Sequence, residues 1–223
     1  MSLLYEFFGS ILHIIYSIVQ DYGLSIVLFA VFAKILMLPL TLKQNRSMQE
    51  MNKLQPELKA LQKKHGNNKQ KLNEETMKLY QKHNYNPMGG CLPLLIQFPI
   101  IIGLFGVMRD PGTYVFTEEV FATIDKAFFW VNDLSEPDGM HIIPILAAFT
   151  TYLSMATMPT QSGGNDQAQA MTKSMRMISP LMIGFVSWTL PAGLGLYWIM
   201  QNGLTFIQQK IIHRKPKTPE GGK

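Results

Sequence analysis

Hydrophobic residues gather into long blocks along this chain, and polar and charged residues fill the segments between them. The clearest block runs from Leu24 to Leu42, with the sequence LSIVLFAVFAKILMLPLTL. A helix that crosses a bilayer needs about 20 mostly apolar residues. The pattern therefore predicts an all-α, polytopic membrane protein with five transmembrane helices, at 23–42, 86–108, 141–158, 177–190 and 194–212.

The N-terminal segment 1–22 has apolar residues at helical spacing, with polar residues interspersed among them. The apolar positions include Leu4, Phe7, Phe8, Ile11, Leu12 and Ile15. We interpret this segment as an amphipathic helix that lies in the membrane interface. A short additional span is the alternative.

Segment 43–85 carries ten cations and four anions, and its apolar residues recur every three or four positions. Gly66-Asn67-Asn68 is a turn signal between the two halves. The segment therefore predicts a basic helical hairpin outside the membrane, with a local break or a kink at Pro56. One interpretation is a solvated charged pair without a partner. The other is a surface for lipid headgroups or RNA.

Charge is distributed unevenly between the two sides of the predicted membrane domain. The hairpin, the flexible linker predicted at 159–176 and the basic tail at 213–223 together hold sixteen of the twenty cations, and Lys210 at the end of the fifth span is a seventeenth on that side, whereas the loop 109–140 is acidic. Cytoplasmic loops are enriched in lysine and arginine. We therefore predict that the hairpin and C-terminus are cytoplasmic and that the N-terminus is outside. This asymmetry accounts for the net charge of +5 without specific nucleic-acid binding.

Lys34 lies near the middle of the first predicted span, where a charge costs roughly 2.5–3.5 kcal/mol on insertion scales. The predicted spans contain no carboxylate that could pair with it. A water-filled recess would keep this lysine charged and attract acidic segments. Snorkelling to a headgroup is the structural alternative. Gln97, in the second span, is interpreted either as a wall of the same polar cavity or as an interhelical hydrogen-bonding group.

Catalytic signatures are missing from the sequence. No P-loop, zinc-protease or nucleophile-elbow motif occurs, and the five histidines are scattered. A single cysteine, Cys91, excludes an intrachain disulfide and a cysteine metal cluster. We therefore expect neither an enzyme nor a metal or cofactor site.

Three motifs resemble the YidC/Oxa/Alb family of membrane-protein insertases, in the family's order and over nearly the whole chain. They are KILMLPLTLKQNRSMQEMNKLQPEL (34–58), NPMGGCLPLLIQFPI (86–100) and LPAGLGLYWIMQNGLTFIQQK (190–210). The resemblance implies five helices around a hydrophilic groove that opens to the cytoplasm and the lipid, a mobile cytoplasmic hairpin and a location in the bacterial plasma membrane. Nascent membrane proteins and lipids are the implied partners, together with the ribosome and the Sec translocon.

The resemblance also implies which residues form the substrate groove. A basic residue in the first span, usually arginine, receives hydrophilic parts of the client; here it is Lys34, which keeps the charge but lacks the planar guanidinium. A glutamine of some relatives falls near Ser154. The predicted groove residues are Lys34, Gln97, Ser154, Trp198 and Asn202. A small anion or solute transporter that uses Lys34 as its binding site is the main rival, and a structural scaffold is the second.

Overall fold

The computed structural model describes residues 2–85, 92–157 and 166–212, with the side chains of 92–96 and 166–172 left out. The regular elements in these ranges are all helices; the one β-bridge joins Phe128 and Val131. The helices are α1 (Ser2–Val19), α2 (Tyr22–His65), α3 (Lys69–Lys82), α4 (Leu92–Arg109), α5 (Pro111–Tyr114), α6 (Glu118–Thr123), α7 (Ile142–Thr157), α8 (Asp166–Ser187) and α9 (Ala192–Ile212). The predicted all-α class is confirmed. The predicted tail 213–223, Cys91 and the start of the predicted second span lie outside the described residues.

The chain breaks between α1 and α2, as the polar Asp21 predicts. Gln20 adopts a left-handed conformation with φ of 55°, and the Asp21 carboxylate accepts a 2.7 Å hydrogen bond from the Leu24 N–H. This N-cap satisfies one of the free donors at the start of α2. Helix α1 packs against α4 and α2.

Helix α2 is a single helix of 44 residues that continues from the predicted first span into the basic segment. Pro39 and Pro56 both lie inside it, so Pro56 does not end a helix or begin a new one. After Gly66, α3 folds back against α2. Met51, Leu54, Leu58, Leu79 and Tyr85 form a small core of their own between the two arms.

The segment 109–140 is more ordered than a simple loop. Asp110 and Thr117 cap the short helices α5 and α6, and the carbonyls of Leu134 and Glu136 accept 2.8 Å hydrogen bonds from the N–H groups of Gly193 and Ala192. These bonds satisfy free donors at the N-terminus of α9. The segment is therefore fixed to the same end of the bundle at which α2 and α9 begin.

Helix α8 begins at Asp166, eleven residues before the fourth predicted span, so the predicted flexible linker 159–176 is helical from Asp166 onward. The local composition explains this, because alanine, glutamine, methionine, lysine and arginine are all good helix formers. The helix ends at Ser187, close to the predicted boundary at 190.

The main core occupies the end of the bundle where α2 and α9 begin. Its most buried members include Tyr22, Ile26, Phe29, Leu104, Met108, Leu134, Leu194 and Tyr197. Large apolar side chains of α1, α2 and α8 stay exposed, including Leu3, Ile18, Leu36, Leu181 and Phe185. Such contiguous apolar exposure is typical of surfaces that face lipid or a partner.

Two of the described helices are long and apolar enough to cross a membrane: α1 and the N-terminal part of α2. The apolar stretches Gln97–Arg109 and Ile142–Thr157 are shorter. The interfacial position predicted for α1 and the number of spans stay predictions.

Candidate functional site

A row of polar side chains joins α2 to α9, and we call it the polar seam. The Ala30 carbonyl accepts from Gln201 at 2.8 Å, and Lys34 donates to Thr205 at 2.7 Å. Further along, Gln208 donates to Thr41 at 3.0 Å and Gln209 donates to Asn45 at 3.2 Å. Because residue numbers rise together along both helices, α2 and α9 run parallel.

Helix periodicity explains why these residues meet. Thr41 and Asn45 are four residues apart, and so are Gln201 and Thr205, which places each pair on one helix face. Near the N-termini of the two helices, the contact between α2 and α9 is apolar. Its residues there belong to the main core: Ile26, Phe29, Leu194 and Tyr197. The seam therefore changes from a packed apolar contact at one end to hydrogen-bonded polar contacts at the other.

Lys34 is the only cation in this seam. Its ammonium group is partly buried and donates to the Thr205 hydroxyl oxygen. That hydroxyl in turn donates to the main-chain carbonyl of Gln201 at 2.7 Å. Among the residues that the structure describes, no carboxylate lies within ion-pair distance of Lys34. Two of its three donor hydrogens are therefore left for other acceptors.

A second polar contact joins α9 to α7. The Thr151 hydroxyl oxygen accepts from the Trp198 indole at 3.2 Å and from the Asn202 amide at 2.9 Å. Thr151 itself donates to the Ala147 carbonyl at 2.6 Å. Ser154 follows on the same helix and is buried. Trp198 and Asn202 thus point toward α7, while Gln201 and Thr205 point toward α2.

Gln97 of α4 reaches α9 from a third side and donates to the Tyr197 hydroxyl oxygen at 3.2 Å. Of the five residues predicted for the groove, Lys34, Gln97, Trp198 and Asn202 all bond to or lie on α9. They do not converge on one hydrogen-bonded cluster, since Lys34 bonds to Thr205, and Trp198 and Asn202 bond to Thr151. Each of these hydrogen bonds therefore involves a residue of α9.

Sequence reasoning missed Thr205, Gln201 and Thr151 as functional residues. A usable signal was present, because Gln201, Thr205 and Gln208 recur at spacings of four and three within an otherwise apolar block. That spacing marks one polar face on the last helix.

Chemically, the arrangement offers one ammonium group, hydroxyls and neutral amides, and it presents no nucleophile with an adjacent base. No group of three histidine, cysteine or acidic residues that could hold a metal ion occurs within the described residues. The arrangement therefore offers hydrogen-bonding groups and one positive charge, and the apolar main core lies at the other end of the seam.

The helical fold, its exposed apolar surface and its internal polar seam define a class of protein: a helical membrane protein with a polar face between its helices. Comparison with known proteins then gives the family. The chain belongs to the family described as 60Kd inner membrane protein, whose profile matches residues 14–219.

Curated relatives share this family. A protein of Fusobacterium nucleatum named membrane protein insertase YidC is 39% identical over 214 residues, which is 96% of this chain and 97% of the relative. Another of that name, from Caldanaerobacter subterraneus, is 40% identical and covers 99% of both chains. A longer relative of the same name, from Anaeromyxobacter, is 38% identical, and the match covers 35% of its length.

A solved structure also resembles the chain. It is described as an active YidC insertase with its first transmembrane domain resolved. The TM-score is 0.63 at 27% sequence identity, and the match covers 91% of this chain and 44% of the solved one. The helical arrangement described above is therefore similar to that of an insertase of the same family.

Proposed function

We propose that this protein is a membrane protein insertase in which Lys34 receives a hydrophilic, acidic segment of the client while the client's apolar helix moves into the bilayer. The family membership and the name of the relatives support the insertase function. The observation that carries the role of Lys34 is its hydrogen bond to a neutral hydroxyl, Thr205, with no carboxylate in ion-pair distance among the described residues.

This pairing leaves the positive charge of Lys34 uncompensated. A neutral acceptor positions the ammonium group without neutralising it, so an incoming carboxylate gains a charge-assisted hydrogen bond. In a hydrated recess between apolar helices, the effective dielectric constant is lower than in bulk water, so this attraction is stronger there. The client's apolar segment leaves for the lipid because of its own hydrophobic burial, so no covalent step and no cofactor are required.

The proposed groove has five spans and is closed toward the outside. The parallel course of α2 and α9 supports this arrangement, because the first and fifth helices of an alternating bundle point the same way. The large core at the start of α2 and α9 supports closure at that end. By the charge asymmetry of the sequence, the N-terminus lies outside and the hairpin and C-terminus lie in the cytoplasm.

Nascent membrane proteins are the proposed substrates and membrane lipids the surrounding partners. The ribosome and the Sec translocon are proposed as further partners of the basic cytoplasmic face. The transporter alternative lacks a specific observation in its favour, whereas the insertase name recurs among relatives that match nearly the whole chain.

Reconstitution tests the proposal. Purified protein in lipid vesicles receives a single-span client with acidic residues in its translocated tail, and protection of the tail from added protease reports insertion. We expect vesicles with the protein to protect the tail more than empty vesicles, and Lys34→Ala to reduce the protected fraction. Equal protection in empty and protein-containing vesicles would refute the insertase function, and flux of small anions without insertion would favour the transporter.

A further inference from the structure

Beyond Lys34, the polar seam ends in a cluster of amides that its hydrogen bonds do not satisfy. Gln44, Asn45 and Gln209 are 7%, 6% and 3% exposed, respectively. Within the part of the chain that the structure describes, three side-chain atoms here are buried without a hydrogen-bond partner: Nε2 of Gln44, Oε1 of Gln208 and Oε1 of Gln209. Gln209 bonds to Asn45, the neighbour of Gln44 in sequence. Buried polar groups in native proteins are nearly always paired, so these three unpaired atoms call for an explanation.

These orphaned atoms are chemically complementary to a polypeptide backbone. They offer one amide donor and two carbonyl acceptors, all uncharged. Each residue of an extended chain, proline apart, carries one N–H donor and one C=O acceptor, which such a set can bind whatever the side chains are. A bare anion fits less well, because two of the three free atoms are acceptors. The site thus differs from Lys34, which selects for negative charge.

The structure also contains a point at which this end of the seam could open. Pro39 lies inside α2 between Lys34 and Thr41. Proline has no N–H to bond the carbonyl four residues earlier, here Ile35, and it is a common cause of helix kinks. On the other side of Pro39, the buried Ile26 and Phe29 anchor α2 in the main core. Beyond Pro39, none of the described residues of α2 belongs to the main core; Thr41 and Asn45 hydrogen-bond to α9, and the helix continues directly into the hairpin.

We propose that α2 and α9 separate beyond Pro39 and that the freed amides of Gln44, Gln208 and Gln209 bind the backbone of the client's extended polar segment. This inference rests on the proposed insertase function and identifies where the client enters the seam. The closed seam keeps the three groups unsatisfied, and opening exposes them to the entering chain. The polar contact with Lys34 then follows deeper in the same seam.

A reversible link across the seam tests this. In a Cys91→Ser background, Thr41→Cys with Gln208→Cys places thiols on two residues whose side chains now touch. A short bis-methanethiosulfonate reagent joins them, and a reducing agent removes the link. The control pair is Lys126→Cys with Asp133→Cys, in the segment fixed to the other end of the bundle. These two side chains are partly exposed and form a 3.3 Å ion pair, so the same reagent can join thiols at their positions.

Because Gln208 is itself a proposed binding group, we expect the unlinked 41/208 variant to insert more slowly than the unsubstituted protein. We expect the link at 41 and 208 to abolish this remaining insertion, reduction to restore it, and the link at 126 and 133 to leave insertion intact. Insertion by the linked 41/208 protein at the level of the unlinked one would overturn the proposal. The unlinked proteins separate this result from failure of the insertase function, because in that case they would not insert the client either.

A second variant addresses the orphaned amides themselves. Gln44→Met keeps nearly the same length and removes a buried, unpartnered donor. We expect a higher melting temperature for this variant together with slower insertion, since the closed seam loses its unsatisfied group and the open seam loses a binding group. A lower melting temperature, or unchanged insertion, would contradict the proposal, and the thermal measurement does not depend on client insertion.

Discussion

The Nζ atom of Lys34 lies 2.7 Å from the hydroxyl oxygen of Thr205, 171 residues away in sequence. This contact connects α2 to α9 and gives the ammonium group a neutral partner. Thr205 in turn donates to the Gln201 carbonyl, which fixes the orientation of its hydroxyl. The lysine side chain is therefore held in place by a neutral hydroxyl group.

Removing the Thr205 hydroxyl should weaken the seam. Thr205→Val keeps the shape and eliminates the acceptor, so we expect a loss of about 0.6 kcal/mol in unfolding free energy, the average measured for hydrogen bonds between membrane helices, and at most about 1.7 kcal/mol. Thr205→Ser retains the acceptor and serves as the control. Denaturation in mixed micelles measures the difference. A Thr205→Val protein as stable as Thr205→Ser would mean that the contact contributes nothing.

Thr151 is the shared acceptor for two donors of α9, so its replacement should be more damaging than that of its neighbour. Thr151→Val leaves the Trp198 indole and the Asn202 amide without an acceptor, and we expect destabilisation by about 1–3 kcal/mol. Thr150→Val is the matched control, because Thr150 bonds only to carbonyls of its own helix. The same denaturation assay compares them, and equal losses would contradict the shared-acceptor role.

Glycines of α4 allow α1 to pack closely. A Cβ atom at Gly103 would lie 2.2 Å from the Phe8 ring, and one at Gly106 would lie 2.5 Å from the Tyr5 ring. We expect Gly103→Ala to destabilise the protein by about 1–3 kcal/mol through overpacking. Gly203→Ala, where nothing lies within 4 Å of the new atom, is the control and should be neutral or stabilising.

The added Phe8→Ala substitution makes a double-mutant cycle for this contact. If the clash with the ring causes the loss, Phe8→Ala should restore part of the stability of Gly103→Ala. Purely additive effects would show that the two residues do not interact in this way.

Asp138 makes the folded protein sensitive to acid. Burial alone would raise the pKa of its carboxyl, but hydrogen bonds from the N–H groups of Ile143 and Met140 and from the Trp130 indole outweigh this and lower the pKa. A folded pKa below the unfolded value of about 3.9 stabilises the fold above that pH. The contribution is lost as the pH falls through the folded pKa.

Thermal melting of Asp138→Asn against the unsubstituted protein measures this contribution. We expect the variant to be less stable at about pH 7 and the difference to shrink as the pH falls below about 3.9 and the carboxylate becomes protonated. Asp125→Asn is the control from the same segment, because Asp125 accepts a single backbone hydrogen bond, from Ala127. A stability difference that did not change with pH would contradict the assigned role.

The sequence predicts much of this fold because the relevant signals are local. Helical spacing in α1 and the turn at Gly66 depend on residues a few positions apart, and the structure confirms both of them. The start of α8 was misplaced because a polar segment that reads as a linker is also rich in helix-forming residues. Asp110-Pro111 and Thr117-Glu118 are start signals for α5 and α6 that we did not use.

The partners of the site residues are harder to predict. Lys34 stands out by its charge alone, but its partner Thr205 lies on a helix whose facing neighbours are set by long-range packing. Where a span is almost entirely apolar, sequence periodicity identifies a distinct helix face only if polar residues recur along it. Trp198 and Asn202 were expected to share a groove with Lys34, yet they bond to α7, because α9 presents different polar residues to each of its neighbours.

The central claim is that an attraction between the charge at position 34 and the charge of the client's tail drives insertion. A charge-swap measurement tests it most directly. Vesicles with unsubstituted protein, Lys34→Arg, Lys34→Gln or Lys34→Glu each receive two clients that differ only in an acidic or a basic tail, without a membrane potential.

We predict that Lys34→Arg inserts the acidic client as the unsubstituted protein does, that Lys34→Gln is slower, and that Lys34→Glu prefers the basic client. If insertion of both clients were the same whatever residue occupied position 34, the account of Lys34 would be wrong.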